Sequence, residues 1–170
     1  MDNSQKQFSK IYDQYINRIY RFVFLRVNSS EIAQDLTSET FTRAWNKFRT
    51  ENPGSGVENW VAFLYQIARN LVIDFYREKG KIQIVSASYV ADPGMNLEEK
   101  AILNSDMSQV KQALSKLGEE QQEIIIWRYL DGLSNKQIAL ILGKPEGTVR
   151  VIIHRALEAL RQVLLEKNPA

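Results

Sequence analysis

The segment "IALILGKPEGTVRVIIHRAL", from Ile138 to Leu157, decides the fold of the C-terminal part of the chain. A short apolar run leads into Gly-Lys-Pro-Glu-Gly, and a second apolar pattern follows that also carries Thr, Arg and His residues. Gly143 suits the C-terminus of a helix, because glycine adopts the left-handed conformation at little cost. Pro145 suits the first turn of the next helix, where its missing N–H is not needed. The segment therefore predicts two helices joined by a tight turn.

The second of these helices has two distinct faces when successive residues are placed about 100° apart. The apolar residues fall within one arc of about 140° and are predicted to be buried. They are Val149, Ile152, Ile153, Ala156, Leu157 and Leu160. The opposite face, predicted to be exposed, carries Gly147, Thr148, Arg150, Val151, His154, Arg155, Glu158 and Arg161.

The exposed start of this helix has the composition of a DNA recognition helix. Arginine can pair bidentately with guanine, a contact worth about 1–3 kcal/mol of discrimination, and Thr or Val can touch a thymine methyl group. The N-terminus of a helix also favours a phosphate. The candidate DNA-binding residues are Thr148, Arg150, Val151, His154 and Arg155.

Arginine and histidine on a helix face can also form an ordinary solvated surface. Three features favour a helix-turn-helix over that alternative: the turn residues, the small Ala139 where two helices would cross closely, and Ser134, which can cap a helix over Asn135–Leu142. A helix-turn-helix alone leaves repressors, activators and response-regulator output domains open.

Helical periodicity also dominates upstream. One amphipathic helix is predicted from Phe8 to the break at Asn28. A second begins at a cap supplied by Ser29 or Ser30 and ends near Phe48, and a third spans about Glu58 to Glu78. Two shorter helices are predicted within "MSQVKQALSKL" and "EEQQEIIIWRYL", at residues 107–117 and 119–130.

Residues 81–107 differ from the sequence on either side. Their helical periodicity is weak, Asp-Pro-Gly stands near the middle, and four acidic against two basic residues give a net charge of −2. The stretch "IQIVSASYV" has strand character, but a single strand has no partner in a helical chain. We therefore predict an all-α protein with two small helical domains, residues 1–80 and 108–167, joined by a flexible linker at 81–107.

Composition limits the function. The 170 residues include 22 basic and 20 acidic side chains, so the net charge of +2 requires any basic surface to be local. The absence of Cys and the single His (His154) argue against disulfides, thiolate sites and His-cluster metal sites, and no cofactor is expected. The polar N-terminus lacks a signal-peptide pattern, and no apolar run is long enough to cross a membrane, so a cytoplasmic protein is expected.

Three segments in order resemble one protein family. They are "IAQDLTSETFTRAWNKF" (32–48), "NWVAFLYQIARNLVIDFYR" (59–77) and "LSNKQIALILGKPEGTVRVIIHRALEALR" (133–161). Together they resemble the conserved helices of the extracytoplasmic-function (group 4) RNA polymerase sigma factors of the sigma-70 family. The family implies two helical domains, region 2 and region 4 with its helix-turn-helix, and a linker that threads the core enzyme near the RNA exit path.

The resemblance also implies roles for individual residues. In the first domain, the surface that binds core RNA polymerase would include Asp35, Leu36, Glu39, Phe41 and Arg43. The −10 promoter region would be melted and bound by Trp60, Arg69, Asn70, Asp74 and Arg77, together with the loop 49–56. In the second domain, the exposed residues of the recognition helix would contact the −35 element in the major groove.

Chemistry supports part of the −10 assignment. Capture of an unstacked base needs stacking surfaces and cations, which Trp60, Tyr65, Arg69 and Arg77 could supply. Asn70 could donate hydrogen bonds to a flipped base. Ordinary structural roles compete with these: Trp60, Phe41 and Trp45 suit the core, and Asp74 suits a pair with Arg77, since a carboxylate repels phosphate.

Two positions depart from the family pattern. Thr37-Ser38 stands where Val-Gln is common, and Val151 stands where many members have Ser. An apolar residue at 151 would alter which −35 base is preferred. The family also implies an anti-sigma factor, acting in trans, as a partner beside core RNA polymerase and promoter DNA.

Two other functions compete with that of a sigma factor. A stand-alone helix-turn-helix regulator would bind duplex DNA tightly without polymerase, whereas a sigma factor with this small net charge would bind weakly when free. An enzyme has little support, because the sequence contains no glycine-rich phosphate loop and no recognisable catalytic motif.

Overall fold

The structure, a computed structural model, describes residues 2–51, 59–79 and 108–167. Every secondary-structure element within these ranges is a helix, which agrees with the predicted all-α class. The chain divides into two compact units, Met1–Val90 and Ala91–Ala170, and each is described by itself. The predicted linker at 81–107, including "IQIVSASYV", and the part of the predicted loop at 52–56 lie outside the described residues. No helix in the described ranges is long and apolar enough to cross a membrane.

The first unit contains three long helices, α1 (Asn3–Val27), α2 (Ser30–Thr50) and α3 (Trp60–Lys79). Helix α1 begins five residues before Phe8, because polar residues extend the helix beyond its apolar stripe. Asn28 ends α1 in the left-handed conformation, with φ 58°. Of the two candidate caps, Ser29 is the one used: its Oγ accepts a hydrogen bond from the Ile32 N–H at 3.3 Å.

The three helices of the first unit pack on one another around an apolar core. Its fully or almost fully buried side chains include Ile19, Phe22, Val23, Leu64, Tyr65, Ala68 and Val72. The Tyr76 hydroxyl donates a hydrogen bond to the carbonyl of Arg26, so the second half of α3 is tied to the end of α1. These contacts fix the outward faces of α2 and α3.

Aromatic side chains fill one end of this bundle. The Phe48 ring lies 5.5 Å from Phe8 and 5.0 Å from Trp60, measured between ring centroids. Trp45 lies 5.2 Å from Phe8. The cluster joins the start of α1, the end of α2 and the start of α3, at the point where the chain enters and leaves residues 52–58.

The second unit contains α4 (Ser108–Ser115), α5 (Glu119–Ile125), α6 (Asn135–Leu142) and α7 (Glu146–Lys167). The segment predicted as one helix at 119–130 changes its hydrogen bonding part-way: α5 continues into a π-helical turn at Ile126–Leu130. The N–H of Asp131 donates to the carbonyl of Ile126 at 2.9 Å, a bond that spans five residues. Sequence periodicity did not predict this turn, because one residue of extra spacing leaves the apolar pattern almost unchanged.

Helices α6 and α7 form the predicted helix-turn-helix. The Ser134 hydroxyl accepts a hydrogen bond from the Gln137 N–H at 3.1 Å, and the Gln137 side chain accepts one from the Ser134 N–H at 3.0 Å. Gly143 ends α6 with φ 66°. Pro145 lies just before α7 and not in its first turn as predicted. Its carbonyl accepts the first helical bond, from Val149, at 3.1 Å.

Candidate nucleic-acid interface

Helix α7 is anchored to the second unit by one side only. Val149 and Ala156 are fully buried and Ile153 is 8% exposed, so the helix is fixed along a narrow stripe. The two outer members of the predicted apolar arc, Ile152 and Leu157, are half-buried, and so is Leu160, which lies near the centre of the arc but further along the helix. The arc of about 140° was therefore too wide as a prediction of full burial: residues at its edges face the helices beneath only in part, and burial also falls off along the helix at Leu160.

The five predicted contact residues of α7 all face away from that stripe. The exposed residues are Thr148, Arg150, Val151, His154 and Arg155. Val151 is 48% exposed, which is high for an apolar side chain. The first three turns of α7 therefore present two guanidinium groups, an imidazole, a hydroxyl and a branched apolar group to the solvent.

The turn before α7 is tightly defined. The carbonyl of Ala139 accepts the N–H of Gly143 and, at 3.1 Å, the N–H of Lys144. The Lys144 side chain reaches back to α5, where its Nζ lies 2.9 Å from an oxygen of Glu120. These bonds fix where α7 starts, and therefore where Thr148 and Arg150 stand.

Helix α2 presents a charged stripe in the first unit. Asp35, Glu39 and Arg43 are four residues apart and all exposed, and the Arg43 Nε lies 2.8 Å from a Glu39 oxygen. Leu36 is half-buried beside them. Phe41 turns inward: it is 5% exposed, and its ring lies 5.0 Å from that of Tyr12. The structure thus groups three of the five predicted polymerase-binding residues on one outward face and places Phe41 in the core.

Helix α3 presents a second polar stripe. Asn70, Asp74 and Arg77 are exposed and spaced by four and three residues, which places them on one face. An oxygen of Asp74 lies 3.8 Å from the Arg77 guanidinium. Arg69 lies to one side of this stripe and is half-buried.

Two aromatic residues predicted as stacking surfaces lie elsewhere. Tyr65 is fully buried, so its assignment as a surface for bases was wrong: it packs against Phe22, with ring centroids 5.8 Å apart. Trp60 is half-buried and held edge-on by Phe48 at 5.0 Å and Phe63 at 5.4 Å. A sequence pattern cannot separate such roles, because aromatic residues suit both a core and a stacking platform.

The described ranges contain no group of three or more His, Asp or Glu side chains that could hold a metal ion. One perturbed cation lies in the second unit. Partial burial lowers the pKa of Lys111, on α4, to about 8, because desolvation penalises the charged form. Lys111 lies outside the exposed face of α7, so we expect its titration to affect the stability of the second unit and not DNA contacts.

Comparison with known proteins gives the family. The Sigma-70 region 2 family matches residues 11–82, and the Sigma-70, region 4 family matches residues 107–160. The ECF RNA polymerase sigma factor SigW of Bacillus subtilis is 31% identical over 171 residues, which cover 94% of this chain and 90% of SigW. The chain belongs to the ECF RNA polymerase sigma factors. Another such sigma factor, BldN of Streptomyces coelicolor, is 32% identical over 160 residues, 92% of this chain but only 60% of BldN.

Solved structures agree with this assignment. The sigma factor RpoE of Bartonella quintana, solved with the anti-sigma factor NepR, matches 97% of this sigma factor with a TM-score of 0.71 and 25% identity. CnrH, solved with the cytosolic domain of CnrY, matches 96% with a TM-score of 0.71 at 20% identity, and shows the shared fold. These comparisons confirm the prediction of a sigma factor. They do not support the alternative of a stand-alone regulator. Sigma factors are not enzymes in the catalytic sense.

The ion pair between Lys144 and Glu120 was not predicted from the sequence. The two residues are 24 positions apart and lie on different elements, so no helical spacing relates them. The π-helical turn was missed as well. The ion pair depends on how the turn after α6 packs against α5.

Proposed function

We propose that α7 of this sigma factor binds the −35 promoter element through Thr148, Arg150, Val151, His154 and Arg155. The observation that carries the proposal is the division of α7 into a buried stripe and a continuous exposed patch that begins at its N-terminus. A helix placed in the major groove needs this arrangement, because its N-terminal turns must reach the base edges while its other side packs on the protein.

Each chemical group suits one kind of contact. Arg150 and Arg155 can each donate two hydrogen bonds to guanine, and Thr148 or Val151 can meet a thymine methyl group. Val151 is an apolar residue where many members of the family have Ser. We therefore expect a thymine, or another apolar contact, to be favoured at the −35 base pair that it faces.

We further propose that the polar stripe of α3 contacts the −10 region. Asn70 and Arg77 are exposed and can bind a base and a phosphate, respectively. Asp74 would position Arg77, from which it lies 3.8 Å, and Arg69 would support the stripe from its half-buried side. Trp60 would act as a support rather than a freely available stacking surface, because Phe48 and Phe63 hold its ring.

The charged stripe of α2 is proposed to bind core RNA polymerase. Asp35, Glu39 and Arg43 offer fixed charges on a rigid helix, which suits a complementary surface on a partner. Leu36 adds an apolar contact, and Phe41 would act from the core by holding α2 against α1. A cytoplasmic location is proposed as well, because polymerase and promoter DNA are the proposed partners.

An anti-sigma factor is proposed as a further partner. The similar sigma factor RpoE was solved in complex with the anti-sigma factor NepR. This chain exposes large apolar side chains of the kind that protein partners cover. They include Tyr129, Val151, Leu164 and Leu165. Affinity capture from native cells, in resting and inducing conditions, tests the proposal; recovery of polymerase alone in both conditions would contradict it.

Run-off transcription tests the main proposal. Purified core RNA polymerase is supplied with a genomic promoter library, with and without this protein. New transcripts that share −35 and −10 sequences are expected only with the protein. Absence of such transcripts, with folded protein and a polymerase that works with another sigma factor, would contradict it.

A further inference from the structure

The salt bridge between Lys144 and Glu120 joins the turn of the helix-turn-helix to a different element. By contrast, the ion pair of Arg161 with Glu158 lies within a single turn of α7. Lys144 stands between α6 and α7, whereas Glu120 stands in the first turn of α5, and the Lys144 Nζ lies 2.9 Å from a Glu120 oxygen. The two side chains are 42% and 45% exposed. Water therefore reaches both charges, and the pair can exchange partners at small cost.

The backbone at Lys144 is fixed with respect to the proposed DNA-binding patch. Its N–H is bonded to Ala139, and Pro145, directly after it, accepts the first helical bond of α7. Thr148 is four residues further along and exposed. When the start of such a helix enters the major groove, the turn before it lies next to the phosphates that flank the groove. A lysine in this turn is thus within reach of the DNA backbone.

Glu120 is expected to oppose the binding of DNA. Its carboxylate neutralises Lys144 in the free protein and would be repelled by a nearby phosphate. Exchange of the carboxylate for a phosphate therefore releases less free energy than binding by an unpaired lysine would. Phosphate contacts position a protein on the duplex but carry no base information.

From these observations we infer that Lys144 is a phosphate-binding residue that positions α7 on the promoter, and that Glu120 restrains it by holding its ammonium group in the free protein. The inference rests on the proposed function of α7. It adds a DNA contact outside the recognition helix and a carboxylate on α5 that sets how tightly the sigma factor holds DNA of any sequence. Because the restraint weakens binding to every sequence by the same factor, it sets the overall affinity for DNA and leaves the preference for the −35 element unchanged.

The test measures binding of polymerase holoenzyme, assembled with the full chain, to two duplexes over a series of salt concentrations. One duplex carries the −35 element defined by run-off transcription, and the other is a pool of mixed sequence. Lys144→Gln should weaken binding to both by a similar factor, about three- to tenfold at low salt, and reduce the slope of log affinity against log salt by about one. Lys116→Gln, which removes an exposed lysine elsewhere in the same unit, is the matched control.

Glu120→Gln should tighten binding to both duplexes by about 1.5- to fivefold, the factor that corresponds to an exposed ion pair. Glu119→Gln is its control, since it removes the same charge from the same helical turn. Glu119 itself has no ion-pair partner in the described part of the chain. In the Lys144→Gln background, Glu120→Gln should do no more than Glu119→Gln. This non-additivity separates restraint of Lys144 from a general effect of charge.

Each outcome decides the matter. If Lys144→Gln matches Lys116→Gln in salt slope, or lowers only the preference for the −35 duplex, then Lys144 is a structural residue of the turn and the inference is overturned. Equal gains from Glu120→Gln and Glu119→Gln would overturn the restraint. Failure of the proposed function has a different signature, since Arg150→Ala would then leave the −35 preference unchanged.

Discussion

Thr37 buries a hydroxyl group at a cost in folding free energy that the first unit tolerates. It is 4% exposed, and its hydroxyl oxygen has no hydrogen-bond partner among the described residues. Thr40, one turn further along α2, differs because its hydroxyl donates to the carbonyl of Leu36 at 2.7 Å. Burial of an unpaired hydroxyl is unfavourable, and the family often has Val at the position of Thr37.

Thr37→Val is therefore expected to raise the free energy of unfolding of the first unit by about 1 kcal/mol, since it removes the hydroxyl and keeps the side-chain shape. Hydrogen exchange of the α2 amides measures the change. Thr42→Val is the control: Thr42 is exposed and its hydroxyl donates to Ser38 at 2.9 Å, so no gain is expected there. Equal effects of the two substitutions would mean that burial of the Thr37 hydroxyl costs nothing.

Lys111 is expected to make the stability of the second unit depend on pH. Its pKa is lowered to about 8 from 10.5 in the unfolded chain, so between these values the unfolded state binds more protons than the folded state. Stability should therefore rise with pH through this window, relative to a Lys111→Met variant that cannot titrate. Chemical denaturation at pH 7, 9 and 10.5 measures the difference; a difference that is flat or falls with pH would contradict the lowered pKa.

At the scale of elements, the turn between α6 and α7 depends on a backbone conformation that only glycine adopts easily. Gly143 has φ 66°, and no atom of the described residues beyond its two chain neighbours lies within 4 Å of the position that a Cβ would take. Gly147 also has open space at its Cβ position, but it lies inside α7 with no positive φ. Because neither position is crowded, a comparison of the two glycines isolates the strain of the left-handed backbone.

Gly143→Ala is expected to lower the free energy of unfolding of the second unit by about 1–2 kcal/mol, through left-handed strain alone. Gly147→Ala should instead raise it by about 0.5 kcal/mol, because alanine favours the helix and restricts the unfolded chain. Thermal unfolding of both variants measures the pair. The same sign of change in both would show that φ at Gly143 is not what determines the cost.

At the scale of the whole molecule, the proposed activities are divided between the two units. The α2 stripe is proposed to bind polymerase, and the α7 patch is proposed to bind DNA. Because the two surfaces belong to separate compact units, a substitution in one should leave the other intact.

Arg150→Ala should cost about 1–3 kcal/mol at one −35 base pair and leave the affinity for core polymerase unchanged. Asp35→Ala should weaken polymerase binding, by about tenfold if Asp35 is central to that interface, and leave the −35 preference of the assembled holoenzyme unchanged. Polymerase binding measured by sedimentation, and base preference measured by transcription from −35 variants, separate the two. A loss of both activities in either variant would contradict this division.

The sequence by itself determined the helical class, the family and most of the exposed α7 patch. Each depends on neighbours along the chain: three- and four-residue periodicity, the Ser134 cap, Gly143 and the order of three motifs. Such signals act over one or two helical turns, so they survive without knowledge of the packing.

The tertiary structure decided which candidate side chains are accessible. Tyr65 and Phe41 have the residue type expected at a binding surface, yet both are buried, because α1 packs over their side of α3 and α2. The pairing of Lys144 with Glu120 also arises only when the turn after α6 meets the start of α5. Periodicity along one helix indicates which face is apolar and which is polar. Only the neighbouring helices determine how much of the apolar face is buried and which charged side chains on different elements form ion pairs.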